Sequence, residues 1–237
     1  MTAEIAHAAA TLFPETVAVA VRDIADPAEI RAEEAPAITR AVPARRAEFA
    51  AGRDAARIAM ARLGHPPIAV PQAPDRAPIW PPGLVGSITH TRRADGLGIA
   101  LAACAFEREI ISLGLDAEPD APLPEDLWPV ILTPVERAAL MEGRTAHATA
   151  SARAGHTLSP ARMARTIFSA KEALYKAQYP LSRALLDFQD VEIDLQPRTF
   201  TATCAVPAPP FEPGHTLSGQ WTEVGGVVLT ALSLVRA

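Results

Sequence analysis

The chain has little of what several common chemistries require. Of its 237 residues only two are cysteines, Cys104 and Cys204. They lie far apart without CxxC spacing, which argues against a disulfide framework and for idle thiols in a reducing cytosol. No Cys/His spacing suited to zinc is present, and neither GxxxxGK[ST] nor GxGxxG occurs, so neither a P-loop nor a Rossmann dinucleotide site is supported. No apolar run approaches transmembrane length, and Met1 to Ala10 lacks the basic start and long apolar region of a signal peptide. A cytoplasmic protein without a membrane span is the expectation. A net charge of -5 and a pI near 5.7 do not suit a dedicated nucleic-acid binder, whose backbone contacts need a basic surface. What is present, 49% hydrophobic and 21% charged residues, is ordinary for a folded chain able to bury one large core or two small ones.

Read in order, the chain alternates helical and strand-like pieces. Thr16 to Ile24 is β-branched and partly alternating, a strand; Pro27 to Ala35 reads as a short helix. Ala44 to Leu63 reads as a long helix stopped by Gly64, with Phe49, Ala56, Ile58, Met60 and Leu63 on its apolar face and Arg45, Arg46, Arg53 and Arg57 on a cationic side. The proline-rich stretch Ile68 to Pro82 must be extended or turning. Leu97 to Cys104 and Glu109 to Leu115 are read as two strands paired as a hairpin. Thr133-Pro134-Val135-Glu136 is a helix start of the capping-box type. Residues 142–159 read as a loop, followed by a helix from Pro160 to about Gln178 that Pro180 should end. Val191 to Leu195, Thr199 to Val206, Thr216 to Trp221 and Gly226 to Leu234 close the chain as strands. The similar order in both halves predicts an α+β fold of two related halves, 1–112 and 113–237, with mainly antiparallel strands.

Two clusters of residues could carry chemistry. Glu172 and Lys176 stand an i,i+4 step apart on one face of the last long helix, while Lys171 points roughly 100° away. Asp116 and Glu118 project to one side of the preceding strand end. The DxE pair also fits a solvated face, and Glu172–Lys176 an ordinary surface ion pair. Taken together, three carboxylates make an oxygen-rich set suited to a hard cation such as Mg²⁺. Arg46, Arg53, Arg76 and His90, on separate elements, could supply phosphate donors if the fold collects them. Gly83 and Gly86 could admit close backbone approach to a ligand, or serve as turn residues.

Gly114-Leu-Asp-Ala-Glu118 followed by Phe168-Ser-Ala-Lys-Glu-Ala-Leu-Tyr-Lys176 resembles the paired signature of 4′-phosphopantetheinyl transferases. Arg45-Arg46-Ala47-Glu48-Phe49 with Gly52-Arg53, Arg76 through His90, and Leu132 through Glu136 resemble the enterobactin-synthase component D branch of that family. The resemblance implies two pseudo-twofold-related α+β halves with coenzyme A between them, and transfer of phosphopantetheine to a serine of an apo acyl or peptidyl carrier protein. It implies Mg²⁺ held by Asp116, Glu118 and Glu172, with Glu172 also the base for the serine. Lys176 would stabilise or protonate the leaving 3′,5′-ADP and Lys171 would neutralise phosphate. Arg46, Arg53, Arg76 and His90 would hold coenzyme A, with Ser87 and Thr89 adding hydroxyl contacts. A monomer is the expectation, as is carrier docking near the 142–159 loop with Arg153 or Arg162. Competing readings are a Mg²⁺-dependent coenzyme A pyrophosphatase and a coenzyme A- or carrier-binding module without activity.

Overall fold

A computed structural model describes residues 1–93, 95–143 and 158–236. The helices are α1 (Thr2–Ala10), α2 (Pro43–Arg62), α3 (Trp128–Ile131), α4 (Pro134–Met141) and α5 (Pro160–Ser182). The strands are β1 (Ala18–Asp23), β2 (Leu84–Arg92), β3 (Gly98–Phe106), β4 (Ile110–Pro119), β5 (Val191–Gln196), β6 (Thr199–Cys204), β7 (Thr216–Val224) and β8 (Val227–Val235). They form two antiparallel sheets, one of order β1-β3-β2 and one of order β4-β8-β7-β6-β5. Each half sets one long helix against its own sheet, the α+β arrangement that the alternation of patterns predicts.

Small residues let these helices sit close. Ala55, Ala56, Ala59 and Met60 of α2 pack on Ala20, Ala102 and Cys104 of the first sheet. On the second sheet, Ile167, Leu174 and Ala177 of α5 pack with Val191, Ile193 and Phe200. A third cluster belongs to both halves: Ile5 and Ala9 of α1, Ile99 and Leu101 of β3, Leu113 and Leu115 of β4, and Val227 and Leu229 of β8 are buried together. Burying such side chains contributes roughly 1.5–3 kcal/mol each before ordering entropy is set against it.

Four expectations need correction. β3 and β4 do not form a hairpin: β3 pairs with β1 and β2, and β4 pairs with β8 more than a hundred residues later. The turn at Glu107–Glu109 is short because the chain steps there from one sheet to the other. Residues 27–31 are irregular and 32–34 form a turn, followed by a 3₁₀ segment at Ala35–Ile38. The reason is Glu34, fully buried, whose carboxylate accepts from Arg57 and from the backbone N–H groups of Val70 and Arg31; side-chain bonds of this kind compete with a helix. Arg57, and likewise the buried Arg53, therefore leave the solvated cationic side expected of α2. Finally, α5 runs through Pro180 and ends when Arg183 turns left-handed (φ 58°). Only Leu181 and Ser182 lie beyond the proline, so the helix forgoes a single bond, the one Pro180 cannot donate to the Lys176 carbonyl, two residues before its end.

The capping box at α4 is present as expected: Thr133 Oγ1 accepts from Glu136 N, and Glu136 Oε2 accepts from Thr133 N at 2.7 Å. Most of the 142–159 loop, including Arg153, lies outside the described residues.

Candidate active site

The site is built on the alternation of β4. Leu113, Leu115 and Ala117 face the shared core, so Ser112, Gly114, Asp116 and Glu118 face the other way, toward α5. Gly114 allows the close approach, because a Cβ there would lie 1.9 Å from the Ala173 carbonyl oxygen of α5. Ser112 Oγ donates to Ala177 O at 2.6 Å and fixes the same contact.

The helix thereby brings its polar residues onto Asp116, which is only 3% exposed. Lys176 Nζ donates to Asp116 Oδ1 at 2.6 Å, Thr89 Oγ1 to the same oxygen at 3.0 Å, and Ser169 Oγ to Oδ2 at 2.8 Å. Glu118 accepts from Arg165 at 2.9 Å; burial and the neighbouring Asp116 charge push its pKa up to about 7. Glu172 is half-buried and makes no hydrogen bond among the described residues. Burial first, and Asp116 second, raise its pKa above the usual carboxylate range.

Asp116, Glu118 and Glu172 line one cavity of about 420 Å³ with Lys176. Its opposite wall comes from α2 (Arg45, Arg53), the loop before β2 (Arg76) and β2 itself (His90). Arg53 is buried over the Phe49 ring, and its Nε donates to Val70 O at 2.6 Å. Desolvation lowers its pKa to about 10, leaving it a cation at neutral pH. One of its terminal guanidinium nitrogens is buried without a hydrogen-bond partner among the described residues, the state of a donor that awaits an anion. A second cavity, of about 670 Å³, continues past Arg76, Glu172 and Lys176 between the loop at 73–80 and α5.

Several sequence-based assignments change. Lys171 does not face the cavity. It is buried, and its ammonium donates to Glu136 (2.8 Å), Ile131 O (2.9 Å) and Phe188 O (2.8 Å), so all three protons are used. Burial lowers its pKa and raises that of Glu136. Arg46 donates to Ile38 O at 2.8 Å, whereas its neighbour Arg45 lines the cavity and contacts His90. Ser87 is not a free hydroxyl: it accepts from Leu115 N at 3.0 Å and so ties β2 to β4. Thr89 serves Asp116. Gly86 gives its space to the Trp80 ring rather than to a ligand, and Gly83 takes a left-handed turn conformation (φ 84°). Arg162 is paired with Asp120 at 2.7 Å.

Arg45, Glu48, Ser169 and Arg165 were not legible as site residues. The stripe Arg45, Glu48, Phe49, Gly52, Arg53 follows helical i, i+3, i+4, i+7 and i+8 spacing and lines the cavity. Projecting back from Arg53 would have favoured Arg45 over Arg46. As a metal site, the three carboxylates have the hard-oxygen character that Mg²⁺ takes. Among the described residues, however, they do not close into a group spaced to hold an ion. Lys176 and Arg165 supply the positive charge beside Asp116 and Glu118.

A cleft between two α+β halves, cationic on one wall and acidic on the other, is the arrangement of an enzyme that handles a phosphate-rich substrate. Family models agree: residues 33–105 match the 4′-phosphopantetheinyl transferase N-terminal domain, and residues 112–221 the 4′-phosphopantetheinyl transferase superfamily. The chain belongs to the 4′-phosphopantetheinyl transferase family. It is 41% identical over 209 residues to 4′-phosphopantetheinyl transferase Svp of Streptomyces mobaraensis, covering 85% of this chain and 77% of that one. It is 35% identical to Npt of Nocardia iowensis (83% and 85% covered) and 35% identical to PptT of Mycobacterium tuberculosis (85% of each), both also 4′-phosphopantetheinyl transferases. Among the described residues no helix is long and apolar enough to cross a membrane.

Proposed function

We propose that this protein transfers the 4′-phosphopantetheine group of coenzyme A to a serine of an apo acyl or peptidyl carrier protein, with Mg²⁺ as cofactor, and releases 3′,5′-ADP. The observation that supports this most is the single cavity in which Lys176 stands between the Asp116, Glu118 and Glu172 carboxylates and the Arg45, Arg53, Arg76 and His90 wall.

The serine oxygen bonds to the phosphorus that carries the pantetheine, and the bond from that phosphorus to the bridging oxygen breaks, leaving 3′,5′-ADP. The serine proton passes to Glu172, whose carboxylate has no competing hydrogen bond among the described residues and which burial and the Asp116 charge make a stronger base than an ordinary carboxylate. Lys176 sits beside Asp116 and neutralises charge on the leaving phosphate. The buried Arg53 nitrogen without a hydrogen-bond partner among the described residues would bind a phosphate oxygen of the adenosine end, with Arg45, Arg76 and His90 around it. Mg²⁺, when bound by Asp116, Glu118 and Glu172, would fix the pyrophosphate and offset charge developing on phosphorus.

The Arg45-to-Phe49 and Arg76-to-His90 segments support placing the chain in the enterobactin-synthase component D-like branch. They favour a carrier of siderophore, nonribosomal peptide or polyketide synthesis, served by a cytoplasmic monomer. The test is the intact mass of an apo carrier protein after incubation with this protein, coenzyme A and Mg²⁺. A gain of one phosphopantetheine, abolished by EDTA, is expected. Free phosphopantetheine with an unmodified carrier would replace the transferase reading with a hydrolase.

A further inference from the structure

The loop that carries Arg76 is tied across the cleft to the end of α5. Asp75 Oδ2 accepts from the Tyr179 hydroxyl at 3.0 Å and from Arg183 Nη1 at 3.2 Å, contacts that span 104 and 108 residues of chain and join the two halves. The side-chain partners are themselves held. Tyr179 stacks on Tyr175, with ring centroids 5.3 Å apart and 21° between planes, and Tyr175 lines the cleft one turn from Glu172. Arg183 ends α5 and lies over the Tyr179 ring, 5.6 Å from its centroid.

On the loop side, Arg76 has φ 72°, a left-handed conformation that a non-glycine residue adopts only where its surroundings impose it. Those surroundings are local and specific. Arg76 N donates to Ala73 O at 2.9 Å, Gln72 Nε2 donates to Arg76 O at 3.1 Å, and Asp75 Oδ1 accepts from Ala77 N at 3.1 Å. Asp75 thus uses one oxygen to shape the turn at Arg76 and the other to anchor that turn to α5. Arg76 in turn lines both cavities of the cleft.

We propose that Asp75 is a positioning residue for coenzyme A: with Tyr179 and Arg183 it straps the 71–80 loop to α5 and thereby holds Arg76 against the phosphate-binding wall. This rests on the transferase reading, because Arg76 is assigned there to coenzyme A. The strap touches neither the Asp116 cluster nor Glu172, so it acts on binding and not on the transfer step. Its bonds are exposed, which bounds the effect: a charge-assisted hydrogen bond plus a surface ion pair corresponds to a change of roughly 3- to 10-fold.

The test is the Kd of coenzyme A by titration calorimetry, with kcat and both KM values, for Asp75→Asn, Tyr179→Phe, Arg76→Ala and the double variant Asp75→Asn/Arg76→Ala. The two strap variants should each weaken coenzyme A binding by about 3- to 10-fold. Their kcat at saturating coenzyme A and KM for the carrier should stay within about twofold, and their Tm should fall by no more than about 2–5 °C. In the Arg76→Ala background, Asp75→Asn should cost nothing further, since its effect passes through Arg76. Unchanged coenzyme A affinity in both strap variants, or full additivity in the double variant, would overturn the proposal while leaving the transferase reading intact. A wild-type protein that neither binds coenzyme A nor modifies a carrier would overturn both.

Discussion

Gly114→Ala probes the joint between strand and helix on which the site depends. The added methyl would lie 1.9 Å from the Ala173 carbonyl oxygen, 2.8 Å from its carbon and 3.1 Å from Ala177 Cβ. The first two obstacles are backbone and cannot rotate away. To reach a separation of 3.0 Å, the floor for such contacts, α5 must retreat from β4 by about 1.1 Å. That motion lengthens the Ser112–Ala177 bond and the Lys176–Asp116 pair, each 2.6 Å at present, to about 3.7 Å, beyond hydrogen-bond range. Overpacking and the two weakened contacts predict a loss of roughly 2–3 kcal/mol, or about 5–10 °C in Tm for a chain of this size. Because Glu172 and Lys176 ride on the displaced helix, turnover should fall about 100-fold. Urea unfolding and carrier modification by intact mass would measure both. Gly52→Ala is the control: its methyl meets one side-chain methyl, Ile88 Cγ2 at 3.0 Å, and no backbone, so stability should stay within about 1 kcal/mol. A Gly114→Ala protein with wild-type Tm and turnover would refute the claim that this contact sets the site's geometry.

Glu172→Gln should lower turnover by about 100-fold at unchanged stability, since among the described residues the carboxylate makes no hydrogen bond to lose; near-normal turnover would remove Glu172 as base. Lys171→Met should cost roughly 3 kcal/mol in urea unfolding, because Glu136 is left buried without its countercharge. A phosphate-binding Lys171 would instead raise the KM for coenzyme A with stability unchanged. Burial pushes the Cys104 thiol up to about 12, so at pH 8 it is protonated and should resist thiol reagents in the folded protein and react once urea unfolds it.

Sequence reasoning succeeded where the physics was local. The Thr133 capping box, the two long helices and the shared side of Asp116 and Glu118 on an extended segment all follow from short-range rules. It failed where partners were distant. A short turn between two apolar runs reads as a hairpin, and nothing near residues 107–109 announces that β4 will pair with β8. Lys171 is instructive because its angular offset from Glu172 was legible and correct, while the phosphate role came from family resemblance; the offset carries it into a buried pair with Glu136. The Arg46 assignment rests on family resemblance, whereas helical phase counted from Arg53 puts its neighbour Arg45 on the cavity face. Glu34 shows the same limit, since no pattern predicts that a lone glutamate will be fully enclosed by Arg57 and two backbone amides.

The core formed jointly by α1, β3, β4 and β8 bears on how freely this architecture can be taken apart. Leu113 and Leu115 are covered on one side by Ile99 and Leu101 of the other sheet, so severing the chain near residue 108 would leave each fragment with a raw apolar face. Neither fragment would make a dependable recombination module. Exchanging halves between related enzymes would graft mismatched side chains into that common layer, and viable chimeras should be those that keep the layer from a single parent while trading the outer loops.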